Sequence, residues 1–167
     1  MSATATMNET EAVNSFEYVH LDQIDPSFET LPTDFYNLKI VTAEMKEFDK
    51  TATGGSKGKF IKLGLAVTGH AKYSGRRVWQ TLFPNDFTFR ILRRVQDATG
   101  VNQDANETLE QWVTKLGKIG PVLKLQVVEV PDVLFKTGEP NPRTVKADGT
   151  PAMKNEVNFK AGVQPGD

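Results

Sequence analysis

"RRVWQTLFPNDFTFRILRRVQDATG", residues 76–100, changes its periodicity midway. Over "RRVWQTLF" the residues alternate. Arg77, Trp79, Thr81 and Phe83 fall on one face and Val78, Gln80 and Leu82 on the other, the pattern of a β-strand that does not declare its buried side. After Pro84 the period lengthens. Asn85 is placed to cap a helix, Phe87, Ile91, Val95 and Ala98 line one stripe of it, and Gly100 ends it, while Arg90, Arg93 and Arg94 lie mostly elsewhere.

On the N-terminal side, "FIKLGLAVT" (60–68) is a second strand. Its core face is Ile61, Leu63, Leu65 and Val67, and its other face is Phe60, Lys62, Gly64 and Ala66. The turn before it, "DKTATGGSKGK", is rich in Gly. Ahead of that turn, "FYNLKIVTAEMKEF" (35–48) puts Leu38 and Ile40 on one face. A bulge near Val41 and Thr42 returns Ala43 and Met45 to the same face, so a long, bent first strand is expected. On the C-terminal side, a second helix is expected with Asn106 as its cap and Leu109, Trp112, Val113 and Leu116 at core spacing. "PVLKLQVVEV" returns to period two as strand four. Residues 131–154 hold four prolines and read as one long loop, and "NEVNFKAGV" sets Val157, Phe159 and Ala161 on one face of strand five.

The order is three strands, helices, then two strands. It predicts a mainly β domain over residues 35–163: a five-stranded OB-fold barrel with helices between strands three and four. Residues 1–34 read as an irregular arm and 164–167 as a tail.

The chain has 167 residues, no cysteine and a net charge of -1. Disulfides and thiolate metal sites are thereby excluded, and a reducing, cytoplasmic setting fits. The N-terminus lacks the apolar run of a signal peptide, and no stretch has the length of a membrane span, so no membrane partner is expected. Charge is unevenly distributed. Residues 1–34 hold seven acids and no Lys or Arg, whereas residues 35–130 hold fifteen bases against nine acids, a net of +6. Such asymmetry points to a polyanionic partner.

Catalysis finds no support. His20 and His70 have no ligand neighbours at metal-binding spacing. Pro131-Asp132 followed by Glu156 suggests a carboxylate nuclease, but position 158, where that arrangement needs Lys, is Asn. "TGGSKGK" lacks the spacing of a phosphate-binding loop and any helix after it. No catalytic residue, metal or cofactor is expected.

The segments "LPTDFYNLKIVTAEMKEF", "GKFIKLGLAVTG", "YSGRRVWQTLF", "ILRRVQDATG", "LGKIGPVLKLQVV" and "NEVNFKA" resemble, in that order and over about residues 28–163, the phage-encoded single-stranded-DNA-binding proteins of OB-fold type. Asp34 departs from the Gly usual in that family's opening, and the closing "GVQPGD" lacks an acidic tail. The resemblance implies a non-catalytic protein in the cytoplasm of an infected host cell. It would coat and protect single strands during phage DNA replication or recombination, with replication and recombination proteins of phage or host as further partners and a homodimer as one possible assembly. The alternative is an OB-fold protein-interaction or virion module that uses the same exposed face.

Residues 56–79 contain no acid and carry both means of holding a single strand, cations for phosphates and aromatic faces for bases. The candidate nucleic-acid-binding residues are Lys57, Lys59, Phe60, Lys62, Tyr73, Arg76, Arg77 and Trp79. Phe60 is the first stacking candidate, with packing against a loop or helix as its alternative. Trp79 stacks only if its face of strand three is outward. Tyr73 either meets bases or covers the barrel rim. Arg90, Arg93 and Arg94 either extend the path or face water, and the second is preferred. Phe135, Lys136, Arg143 and Lys146 lie on the long loop, which either folds over bound strand or is a mobile surface loop. The acidic arm is expected to compete with DNA for the basic groove, or else to serve as a solubilising or partner-docking tail.

Overall fold

The computed structural model describes residues 20–23 and 30–167. Most of the acidic arm, and with it the competition expected of the arm, lies outside the described residues.

The strands are β1 (Asp34–Asp49), β2 (Lys57–Val67), β3 (Arg77–Leu82), β4 (Val122–Pro131), β5 (Met153–Val157) and β6 (Gln164–Pro165). Two helices, α1 (Asp86–Thr99) and α2 (Leu109–Ile119), stand between β3 and β4. All recorded strand pairs are antiparallel, in the order β3-β2-β1-β4-β5, with β6 also on β4. The sheet is therefore open and six-stranded, which corrects the expected five-stranded barrel. No hydrogen-bonded ladder joins β3 to β5 among the described residues.

β1 is long enough to serve two neighbours. Its first part pairs with β4 from Asp34↔Val127 to Lys39↔Val122, and most of its length pairs with β2 as far as Asp49↔Lys57. Its register on β2 shifts between Ile40 and Thr42, at the bulge the alternation predicts, which keeps Ile40 and Ala43 both buried.

The core is a single cluster that combines Ile61, Leu63, Leu65 and Val67 of β2 and Leu123, Leu125 and Val127 of β4 with Leu38, Ile40 and Val78 and with one face of each helix. In α2, Trp112 is buried and its indole N–H donates to the Val101 carbonyl at 2.8 Å, so the bulky ring brings no unsatisfied polar atom inside. Gly117 lets α2 close on β1, since a Cβ there would lie 3.1 Å from both the N and the O of Ala43.

Four expected boundaries move. Asn85 does cap α1, its side chain accepting from Thr88 N at 2.8 Å, and Gly100 does close it in the left-handed region. The buried stripe, however, is Thr88, Ile91, Leu92 and Val95, and Phe87, in the first turn, faces out. α2 is capped by Thr108 rather than Asn106. Thr108 and Gln111 form a reciprocal capping box, which satisfies two backbone donors where a lone Asn would satisfy one. The fifth strand ends at Val157, and Phe159–Ala161 is a 3-10 turn that still buries Phe159. The tail forms β6, with Leu123↔Pro165 and Lys124↔Gln164.

The domain also begins before Phe35. Leu31 is buried, its N–H donating to Asn155 Oδ1 at 2.8 Å and its carbonyl accepting from Asn155 Nδ2 at 2.9 Å. Tyr36 donates to the Pro32 carbonyl, and burial, then Asp34, raise its pKa above the ordinary value. The loop expected over 131–154 is ordered around Asp132. The Asp132 carboxylate accepts from Thr144 Oγ1 (2.6 Å) and Asn141 Nδ2 and pairs with Lys154 at 3.7 Å, and Val133 bridges Pro140 across a small hairpin.

Candidate nucleic-acid interface

Strand parity divides the eight candidates. On β2 the odd residues from Ile61 to Val67 are buried, so Phe60, Lys62, Gly64 and Ala66 point outward. Their partners on β3 follow from the register. Lys62 faces Thr81, Gly64 faces Trp79 and Ala66 faces Arg77, which puts Arg77, Trp79 and Thr81 on the same outer face and Val78 and Leu82 in the core. Gln80 shares the inner parity at the sheet's edge, where its Nε2 donates to the Trp79 carbonyl, so its amide is not stranded in the core. β1 adds Lys39, Thr42, Glu44 and Lys46 to the outer face, opposite Ala66, Gly64, Lys62 and Phe60. The face thus carries Lys39, Lys46, Lys62 and Arg77 against the single carboxylate Glu44, which pairs with Lys46 at 3.5 Å.

Trp79 is 45% exposed and has a built seat. A Cβ at position 64 would lie 2.7 Å from Trp79 Cζ3 and 3.0 Å from Cη2, so only the bare backbone of Gly64 lets the indole rest against β2. Lys62 Nζ sits over the ring, 4.6 Å from its centroid.

Phe60 is half-buried in a triangle of three rings. Its centroid is 6.3 Å from Phe48 and 6.0 Å from Phe83, and those two are 6.1 Å apart. It also lines a small apolar slot with Met45, Pro84 and Phe89. The packing role weighed for Phe60 is therefore present, and the more exposed ring of the cluster is Phe83, at 50%.

The remaining candidates lie elsewhere. Lys57 and Lys59 share the parity of Ile61, opposite Asp49 and Glu47. Lys59 pairs with Glu110 of α2 at 3.5 Å and with Glu47 at 3.9 Å. The segment that lacks acids in sequence acquires them in space, and these two lysines point to the helix side of the sheet. Tyr73, weighed as a base contact or as cover for the rim, is 9% exposed. It packs with His70 (5.0 Å) and edge-on to Tyr36 (6.4 Å), so the turn folds back over the end of the sheet and the covering role is the one present. Arg76 is half-buried at the start of β3, where its backbone N–H donates to the Tyr73 carbonyl. On α1, Arg90 and Arg93 pair with Asp86 and Asp97, four residues apart in each case, in exposed ion pairs worth a few tenths of a kcal/mol each.

Lys39, Lys46, Phe48 and Phe83 were missed as site residues. The signal that could have found them is the outward phase of β1 on both sides of the bulge and of β3 continued by one residue. Among the described residues no group of three or more His, Cys, Asp or Glu is arranged to hold a metal ion, and no helix is long and apolar enough to cross a membrane. In comparison with protein-family models, curated proteins and solved structures, nothing matches this chain.

Proposed function

We propose that this chain is a non-catalytic OB-fold protein of the phage single-strand-binding type that coats single-stranded DNA on the outer face of β1–β3. The strand order is compatible with an open form of that fold. β3 and β5 stand at the two ends of the path β3-β2-β1-β4-β5, so curling the sheet brings these edges together, and residues of both line one cavity. In OB-folds the face of strands two and three is the oligonucleotide platform.

The observation that carries the binding reading is the setting of Trp79. A large aromatic is half-exposed and seated on a glycine, with the Lys62 ammonium over its ring and Arg77 on the same outer face of β3. The Lys62 ammonium over the ring contributes about 0.5–1 kcal/mol at an exposed site. A stacked base contributes about 1–3 kcal/mol. A base therefore displaces Lys62 from the ring, and the ammonium, on its flexible stem, turns to the adjacent phosphate. The face has no convergent donor and acceptor set that would read one base, so the binding is sequence-tolerant.

Titration of a labelled oligothymidine across salt, with duplex as competitor, tests this. Single strand is expected to win, with a log-log salt slope of about -3 for four phosphate contacts. Equal affinity for duplex, or insensitivity to salt, would overturn it.

A second reading, a protein-interaction or virion module, rests on a different residue. Phe135 is fully exposed on an ordered hairpin, where Leu134 N donates to the Glu139 carbonyl and Gly138 N to the Leu134 carbonyl. A ring presented in this way suits an apolar pocket on a protein. If Phe135→Ala leaves oligonucleotide affinity unchanged and abolishes a protein contact, the hairpin serves that second role.

A further inference from the structure

The open edge between β3 and β5 is more than a missing ladder. Where the two strand ends approach, a cavity of about 420 Å³ is lined by Gln80, Phe83 and Phe87 on one side and Asn158, Phe159 and Lys160 on the other. The volume falls within the range of small-ligand pockets, about 300–1,000 Å³. Its polar groups suit a nucleobase edge: Gln80 Nε2 donates one hydrogen to the Trp79 carbonyl and Asn158 Nδ2 donates one to Gln126 Oε1, which leaves each amide its second N–H and its carbonyl oxygen for a ligand. Its apolar wall suits a base face. Phe87 is 49% exposed although it sits in the first turn of a helix whose next turns are buried, and Lys160 Nζ lies 5.8 Å from its centroid.

The local charge favours an anion. Lys160 makes no ion pair among the described residues, and Asp86, beside Phe87, is neutralised by Arg90 at 2.9 Å. The cavity is also continuous with the outer face, because Thr81 and Phe83 belong to both. We infer that this seam is a second base-binding subsite, in which a nucleotide of the bound strand stacks on Phe87 with its phosphate on Lys160, after the strand has crossed Trp79 and Phe83. The inference rests on the proposed single-strand binding. It gives the open edge a use, because a closed β3–β5 ladder would occupy the space in which the base sits.

The experiment compares oligothymidines of about 4 and about 16 nucleotides, the span of site sizes for one OB-fold, on the full chain by fluorescence anisotropy. Phe87→Ala is expected to weaken the longer strand about tenfold and the shorter one little, because a short strand is held at Trp79 alone. Trp79→Ala weakens both. Lys160→Gln, a conservative surface change, lowers the salt slope for the longer strand by about 0.7 and leaves it unchanged for the shorter. If Phe87→Ala and Lys160→Gln bind the longer strand as the unaltered chain does while Trp79→Ala is impaired, the seam subsite is overturned and the outer face stands. If the unaltered chain binds neither strand, both fall.

Discussion

The two tryptophans of this chain occupy opposite environments, and that makes the site measurable. Trp112 is buried with its N–H satisfied, whereas Trp79 is half-exposed on Gly64. A soluble quencher therefore reaches Trp79 first, and oligonucleotide binding is expected to protect or quench that component alone. Trp79→Ala should lose about 1–3 kcal/mol of binding with little change in melting temperature, as measured by titration and thermal melt. Gly64→Ala reads the seat itself. The added Cβ meets the far edge of the movable Trp79 ring and, at 3.1 Å, the Cβ of Thr42 on β1, so the ring lifts, its emission shifts to the red and affinity falls, with a small loss of stability from the Thr42 contact. Phe60→Ala behaves differently from both. Removing one ring of the mutually packed Phe48–Phe60–Phe83 cluster opens a partly buried void, and stability is expected to fall by about 1–3 kcal/mol, so a binding measurement on this variant has meaning only per folded molecule.

At the scale of elements, two local devices carry predictions of their own. The capping box of α2 makes Thr108→Ala cost about 1 kcal/mol in chemical denaturation, whereas Asn106→Ala, two residues upstream and outside the box, should cost nothing measurable. The β4–β5 loop hangs on Asp132. Its pKa is lowered chiefly by the hydrogen bond from Thr144; burial opposes this as the second-largest effect, and Asn141 and Lys154 add smaller lowering contributions. Because the folded-state pKa is depressed, the stabilisation is fully present above the unfolded-state value of about 3.9 and is lost as pH falls through the lower folded value. Protection of residues 132–152 from hydrogen exchange, relative to the intrinsic rate at each pH, is therefore expected to fall in acid below about pH 4, and Asp132→Asn should reproduce that loss at neutral pH. Exchange unchanged in the variant would show that the loop is held by its backbone bonds alone.

For the molecule as a whole, the positions of the cations make the salt dependence separable by face. Lys62→Gln and Arg77→Gln should each reduce the log-log slope by about 0.7, while Lys57→Gln and Lys59→Gln, on the helix side of the sheet, should leave it unchanged. A loss of slope in the second pair would move the binding path to the other side. Much of this was legible from residue order. The alternation of Ile61, Leu63, Leu65 and Val67, the β1 bulge, the Asn85 cap, the Gly100 stop and the placing of helices between strands three and four are all dictated by local stereochemistry and by which residues leave water, properties that a stretch of chain carries within itself. What only the tertiary structure decided were matters of partnership. Register set Trp79 on Gly64 and aimed it outward. Long-range packing brought Glu110 to Lys59 and folded Tyr73 against Tyr36, and the ends of β3 and β5, joined by no ladder among the described residues, came to line one cavity. Each of these depends on which residue arrives from a distant part of the chain. Periodicity says which way a side chain points relative to its neighbours, but it cannot say what that side chain will meet.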